Sequence, residues 1–154
     1  MQLNRRQKRL VVNLVIVFFV TVLSIFAMVN FKDWINRSEA TRAMNVLSRN
    51  IMMYRKEHGM VPAGLVIDSW KEKLPGSVRL GDVTYRGRWL DLDSTGAEIL
   101  AYTHKRYSSS FVGGGYLVLR LNGTVEWLDD EQFKVILEQQ QSRMEREIRK
   151  STGG

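Results

Sequence analysis

The longest apolar run in the chain lies near its N-terminus. Twenty-two consecutive positions, from Leu10 to Phe31, carry no charged side chain and are mostly Val, Leu, Ile and Phe. As a helix, this run would be about 33 Å long, against about 30 Å for the hydrocarbon core of a bilayer. A cleaved signal peptide has an apolar region of about 7–15 residues that ends at small residues, whereas this run is longer and ends in Met28-Val29-Asn30-Phe31. The pattern therefore predicts a retained transmembrane helix over residues 10–31.

The charges on either side of this run predict its orientation. Residues 1–9 contain no acidic side chain and four basic ones, Arg5, Arg6, Lys8 and Arg9. The far side mixes the two signs, beginning with Lys32-Asp33. Because basic flanks tend to remain in the cytoplasm, we expect residues 1–9 to be a cytoplasmic segment and residues 33–154 to be exported.

The next pattern has helical periodicity. Apolar or aromatic side chains recur at steps of three and four beyond the span, at Ala40, Met44, Leu47, Ile51, Tyr54 and His58. All glycines and prolines fall at or after position 59, so one helix can continue from the span into this segment. Gly59 and Pro62 are the stop signals, and the helix should end near His58. Leu47 and Ile51 should lie between this helix and the rest of the core.

The pattern then changes to short β-type runs. Residues 62–75 have a mixed composition that predicts irregular chain, with Val66, Ile67 and Trp70 as anchors. Trp89 and Trp127 are also predicted to fill the core, whereas Trp34 suits the lipid headgroup region. The predicted strands are Val83–Arg86, Arg88–Leu92, Glu98–Thr103, Tyr116–Leu121 and Thr124–Leu128.

The last two strands and the residues after them give the clearest local signals. Asn122-Gly123 separates two β-rich runs and is the dipeptide preferred in a two-residue type I′ hairpin turn. Asp129 or Asp130 can cap a final helix. Its apolar positions have near-helical spacing, at Phe133, Ile136, Leu137, Met144 and Ile148. We therefore expect an exported α+β domain over residues 32–150 and a disordered tail over residues 151–154.

Composition and charge remove several classes of function. The chain has 154 residues, enough for one compact domain, and no cysteine, which excludes disulfide scaffolds and thiol chemistry. Its net charge is +7, but residues 1–32 hold 5 Lys/Arg and no acid, leaving 18 basic against 16 acidic residues in the remainder. Because the predicted domain is nearly neutral, we expect no nucleic-acid binding.

Candidate catalytic residues are few. His58 and His104 are the two histidines, and Ser108-Ser109-Ser110 follows His104, with Asp91 and Asp93 preceding it. A hydrolase triad could be built from these types, but the chain has no Gly-x-Ser-x-Gly or His-Glu-x-x-His motif. We interpret His58 as a helix-end residue and His104 as a loop residue, and expect no catalytic site and no enzymatic activity.

Three other motifs resemble ligand sites, but a structural role is favoured for each. Asp91-Leu-Asp93 begins like a calcium loop, but Thr95 stands at the third ligand position and Tyr102 replaces the bidentate Glu. These departures favour a strand-end turn, with a weak calcium site as the alternative. Gly113-Gly-Gly115 leads into a strand and lacks the Lys of a P-loop. The remaining motif is a set of methionines, interpreted as core filler: Met44, Met52, Met53 and Met60. We therefore expect no metal and no cofactor.

The order of these elements resembles the type IV pilin-like and pseudopilin-like family. The matching residues in the long helix are Glu39-Ala40-x-Arg42, Leu47, Ile51, Tyr54 and Glu57-His58-Gly59-x-x-Pro62. More narrowly, the chain resembles pilin-like proteins of planctomycete-type bacteria, in Ser69-Trp70-Lys71, Leu74-Pro75, Glu98–Tyr102, Gly113–Gly115 and Asn122–Leu128. The resemblance covers about residues 38–137 and implies a bacterial inner-membrane protein with a periplasmic or exported domain.

The chain departs from that family at two places. The prepilin signal has a Gly before the apolar run and a Glu at the fifth position after the cleavage site, whereas here Arg9-Leu10 begins the run and Asn13 is the nearest polar residue. The family's processing-associated His and Asp positions are occupied by Val112 and Asn122. We therefore expect residues 1–9 to be retained and the protein to be a poor candidate for a major filament subunit.

Together, these patterns predict an α+β protein. A transmembrane helix continues into a long amphipathic helix packed on a small antiparallel sheet, followed by a C-terminal helix. The resemblance implies a structural membrane subunit whose partners are the bilayer and other single-span pilin-like subunits or type II secretion components. The alternatives are a membrane-tethered binding module that recruits a soluble partner and a tethered hydrolase that uses His104.

Overall fold

One continuous helix forms more than a third of the chain. The computed structural model describes residues 4–90, 94–107, 113–142 and 145–148. Helix α1 spans Arg5–His58, 54 residues, and ends at Gly59, which has the left-handed φ of 73°. The Gly59 N–H donates to the carbonyl of Arg55 at 2.9 Å. The predicted long helix and its stop signal are therefore confirmed.

Two short helices follow α1 where irregular chain was predicted. Helix α2 spans Gly64–Lys73 and α3 spans Ser77–Leu80. The prediction over residues 62–75 was wrong because the two prolines bracket α2 without interrupting it: Pro62 precedes the helix, and Pro75 follows its C-cap. Ile67, one of the expected anchors, is fully buried.

The sheet has four antiparallel strands in the order β1-β2-β3-β4. They are β1 Thr84–Tyr85, β2 Ile99–Lys105, β3 Gly115–Arg120 and β4 Val125–Leu128. The predicted strand at Arg88–Leu92 was wrong over its described part, because Gly87–Trp89 forms a 3₁₀ turn closed by a 2.8 Å bond from the Trp89 N–H to the Arg86 carbonyl. A β-carbon on Gly87 would overlap the Tyr85 ring, so the ring packs directly against the backbone at this glycine.

The β3–β4 hairpin is present, but its turn differs from the predicted one. Its loop has three residues, because Leu119 pairs with Val125 and the Arg120 N–H donates to the Thr124 carbonyl. The Gly123 N–H closes the turn on the Arg120 carbonyl, and Gly123 alone takes a positive φ, 89°. A type I′ turn would need positive φ at Asn122 as well, so this is a turn followed by a glycine bulge.

Both faces of the sheet are buried. Leu117 and Leu119 face α1, whereas Val118 faces helix α4, which spans Asp130–Gln140. An irregularity between Ile99 and Ala101 allows both Leu100 and Ala101 to join the α1 side. The chain is therefore an α+β fold in which the sheet separates α1 from α4.

The contact between α1 and the sheet has an apolar centre and a polar end. Leu47 and Ile51 are completely buried, as predicted. Beside them, the Ser48 hydroxyl donates to the Gly123 carbonyl at 2.8 Å, and farther along α1 the Arg55 guanidinium donates to the Leu121 carbonyl at 2.9 Å. These bonds fix the hairpin turn against the helix. The tryptophans expected in the core, Trp70, Trp89 and Trp127, are only half-buried. Trp70 and Trp127 pack against the margin of the core, whereas Trp89 lies outside it.

The C-terminal helix is shorter than its sequence pattern suggested. Asp129 caps α4 by accepting a 2.7 Å bond from the Gln132 N–H. The helix carries Phe133 and Leu137 into the second core, and it ends at Gln140. Residues 145–148 are helical again, while Met144 and the predicted tail over residues 151–154 lie outside the described residues.

We expect Leu47→Ala to lower the free energy of unfolding by about 2–5 kcal/mol, because it leaves a cavity at the centre of the α1–sheet contact. Exposed Arg49→Ala on the same helix should change it by less than about 0.5 kcal/mol. Urea unfolding of the full chain in mild detergent, followed by tryptophan fluorescence, measures both. Equal losses would show that the buried face is wrongly assigned.

Candidate functional site

The first half of α1 is apolar and has no protein surface packed on it. The described large apolar side chains from Leu10 to Phe31 are all 40% exposed or more, and the most apolar window of the helix has a mean hydropathy of 2.8 with none of it buried. A core helix of a soluble domain would be covered by its own chain, so that interpretation does not fit. The helix is long and apolar enough to cross a membrane and is compatible with a single-pass membrane protein.

Polar side chains within this half satisfy their donors inside the helix. The Thr21 hydroxyl donates to the Val17 carbonyl and the Ser24 hydroxyl to the Val20 carbonyl, both at 2.8 Å. The Asn30 amide donates to the Phe26 carbonyl at 2.7 Å. Donors paired in this way carry a smaller desolvation cost in hydrocarbon than free donors would. At Asn30 this pairing covers the donor alone, because its side-chain oxygen is buried without a hydrogen-bond partner among the described residues.

The basic residues before the span do not help the helix that contains them. Arg5, Arg6, Lys8 and Arg9 occupy its first turns, where no acidic residue is present. Cations at a helix N-terminus interact unfavourably with the helix dipole. Gln7 offsets part of this cost by accepting a 3.0 Å bond from the Asn4 N–H. Helix stability therefore does not explain the cluster.

The junction between the apolar half and the packed half is abrupt. Phe31 and Trp34 are exposed and stack on each other with ring centroids 6.1 Å apart, whereas Asp33 is already buried. Arg37 places its guanidinium 4.3 Å above the Trp127 ring, and Tyr107 stacks on the same ring. Burial raises the pKa of the Tyr107 phenol, although Arg37 opposes this shift. The sheet therefore contacts α1 within two turns of the span, without an intervening linker.

Beyond this junction, one side of α1 lines a groove of about 650 Å³ that borders the sheet at Arg37 and the core at Val46. Its basic residues are Arg37, Arg42 and Arg49, and no acidic residue lines it. The other lining residues are Trp34, Ser38, Thr41, Asn45 and Val46. An anionic or acidic surface would complement this groove electrostatically.

The two histidines have separate local partners. His104, on β2, contacts Tyr116 with the two rings tilted by 35°, and it places its Nε2 3.5 Å from an Asp130 carboxylate oxygen. His58, at the end of α1, stacks on Tyr54 at 4.0 Å between ring centroids. His104 is thus a strand residue, and the loop placement was wrong. The triad partners considered from the sequence, Ser108–Ser110, Asp91 and Asp93, lie outside the described residues.

The glycine and methionine motifs considered as ligand sites are explained by their positions in the fold. Gly115 begins β3, where a β-carbon would stand 2.5 Å from the Leu128 carbonyl oxygen, so the strands require glycine there. Met44 is buried, whereas Met53 and Met60 are more than half exposed, so the four methionines do not form one core group. Within residues 4–90, 94–107, 113–142 and 145–148, no group of three or more metal-binding side chains is present. The Asp91-Leu-Asp93 calcium candidate is outside those ranges.

A buried ion pair that was not predicted from the sequence centres on Arg86. Its side chain is 2% exposed and makes a two-pronged contact with Glu145, Nε to Oε1 at 2.7 Å and Nη2 to Oε2 at 2.9 Å. Nη1 also donates to the Ile99 carbonyl at 2.7 Å, and Nη2 donates to the Gln140 carbonyl at 3.2 Å. The Gln140 side chain in turn accepts a 2.8 Å bond from the Ile99 N–H. One guanidinium thus joins the β1 end of the sheet, β2, the end of α4 and the helical turn at Glu145.

This arrangement is a closed structural centre. The guanidinium donors are directed at protein oxygens, and a neighbouring cavity of about 200 Å³ is lined by Tyr85, Trp89, Tyr102 and Ile148 among others. A sequence signal for the pair was absent because its members are 59 residues apart and each resembles an ordinary surface charge.

Comparison with known proteins found no counterpart: the chain matches no family model, no curated protein and no solved structure.

We expect Glu145→Leu to lower the free energy of unfolding by about 3–5 kcal/mol, because it leaves the Arg86 charge buried without a counterion. The double variant Arg86→Leu/Glu145→Leu should recover most of this loss, since it removes both buried charges. Arg79→Ala, which breaks the half-exposed Arg79–Glu39 pair, should cost no more than about 1 kcal/mol. Chemical denaturation measures all three; additive losses in the double variant would contradict the assignment.

Proposed function

We propose that this chain is a non-enzymatic, pilin-like or pseudopilin-like subunit of a bacterial inner membrane, acting structurally through helix contacts in the bilayer and domain contacts outside it. The observation that carries the proposal is the continuity of α1: the bare apolar half and the half packed on the sheet belong to one unbroken helix. The order of a long helix, an antiparallel sheet and a C-terminal helix agrees with the resemblance noted in the sequence.

The proposed orientation places the N-terminus in the cytoplasm and residues 33–154 in the periplasm or outside the cell. Its support is the basic cluster before Leu10, which lies at the one helix end where it opposes the helix dipole. Retention of residues 1–9 follows from the missing Gly and Glu of the prepilin signal. Drawing the uncut cluster into hydrocarbon would cost about 2.5–3.5 kcal/mol per central charge, which opposes extraction into a long filament.

The second candidate is a membrane-tethered binding module. The observation that favours it is the groove along α1, which is open, basic and close to the apolar half of the helix. In that case the partner would be a soluble, acidic protein.

Orientation can be tested with single cysteines, because the chain has none of its own. We expect a membrane-impermeant maleimide to label Glu72→Cys in intact spheroplasts and to label Gln7→Cys only after lysis. Both positions are exposed, so access to the reagent is decided by the membrane. Labelling of Gln7→Cys in sealed spheroplasts would reverse the proposed topology.

Purification from membranes in mild detergent should separate the two candidate functions. We expect a structural subunit to retain other single-span proteins, whereas an adaptor would retain soluble ones.

The intact mass of the same preparation should include residues 1–9. A shortened, methylated N-terminus would show prepilin-type processing, and recovery in sheared surface fibres would contradict a permanently anchored subunit.

A further inference from the structure

Beside its buried face, α1 carries a short charged ridge that makes no ion pair within the described part of the chain. Arg42, Val46 and Arg49 follow one another at i, i+4 and i+7, so they lie along one side of the helix. Both arginines are exposed and line the basic groove, whereas Val46 between them is half-buried against the core. We call these three residues the α1 ridge.

Helix α4 carries a ridge with the same spacing and the opposite charge. Glu131, Val135 and Glu138 also stand at i, i+4 and i+7, on the side away from the sheet. Both glutamates are exposed, and Val135 is 55% exposed although it is apolar. No ion pair between described residues includes either glutamate. We call these three residues the α4 ridge.

The two ridges match in length as well as in charge. The charged residues of each are seven apart, a rise of about 10.5 Å along an α-helix. This spacing is the same whether two helices pack parallel or antiparallel, so two arginine–glutamate pairs can form in either direction. In the parallel case the two valines lie at the same height, and in the antiparallel case they differ by about one residue rise of 1.5 Å.

One chain cannot bring its own ridges together, because the sheet separates α1 from α4. We propose that the α4 ridge of one copy binds the α1 ridge of a second copy. Each copy then presents one ridge to each neighbour, so the contact is head-to-tail and continues into a ring or a row. The inference rests on the proposed membrane anchoring, which confines copies to one plane and raises their local concentration.

Crosslinking in native membranes tests the contact directly. Two differently tagged full-length copies are expressed together, one with Asn45→Cys beside the α1 ridge and one with Val135→Cys in the α4 ridge. We expect a disulfide between the two tags on mild oxidation. Pairing Asn45→Cys with Lys73→Cys on α2 should give none. Absence of the first product, in chains that are found in the membrane fraction, overturns the proposal.

Charge reversal then tests the pairing. Arg42→Glu/Arg49→Glu in the first copy should lower the crosslink yield about tenfold, because two attractive pairs become repulsive. Adding Glu131→Arg/Glu138→Arg to the second copy should restore it. Lys73→Glu/Arg106→Glu, with the same change in net charge at exposed positions, should leave the yield unchanged. Circular dichroism melting of each variant verifies folding.

The outcomes separate this inference from the proposed function. A yield that survives reversal of both arginines, or a loss that the second reversal does not restore, overturns the contact between copies. Crosslinking displaced by a different, acidic protein that co-purifies with the chain also overturns it, since the groove then belongs to that partner. A chain absent from the membrane fraction contradicts the proposed function, whatever the crosslinking result.

Discussion

The burial of one side of α1 against the sheet is the contact on which the remaining structure depends. Met44, Leu47 and Ile51 are completely buried there, and they belong to the helix that also provides the apolar span. Removing a buried leucine from such a contact costs several kcal/mol, a large part of the stability of a small domain. The sheet, the hairpin turn held by Ser48 and Arg55, and the short helices α2 and α3 are all positioned relative to this one helix.

The opposite side of the sheet depends on a different kind of interaction. Helix α4 has 11 residues and contributes Phe133 and Leu137 to a smaller apolar cluster. The buried Arg86–Glu145 pair and the carbonyls around it add directional bonds, so the position of the C-terminal residues is defined by geometry as well as by contact area. The pair is charged and dehydrated, so it contributes to specificity of packing at the cost of desolvating both groups.

The elements that could be predicted from the sequence are those defined by nearby residues. The long helix, its end at Gly59, the buried positions Leu47 and Ile51 and the β3–β4 hairpin all follow from periodicity and glycine placement. Helix α2 was missed because the mixed composition of residues 62–75 was interpreted as irregular chain. The hairpin turn was misassigned because its type depends on the pairing of Leu119 with Val125. Pairs such as Arg86–Glu145 and His104–Asp130 join distant segments, and periodicity carries no information about them.

Helix α1 runs from its apolar half into the domain without a break. The number of residues at the junction therefore sets the rotation of the domain about the helix axis. No glycine or proline interrupts the helix between Arg5 and His58. The buried Asp33 stands two positions after Phe31, the last residue of the uncharged run. Each residue added there would turn the domain by about 100° about the helix axis relative to the span, whereas seven would return it to within about 20°. The apolar half and the domain therefore keep one fixed angle about the helix axis, and a residue inserted at the junction changes which side of the domain lies above a given side of the apolar half.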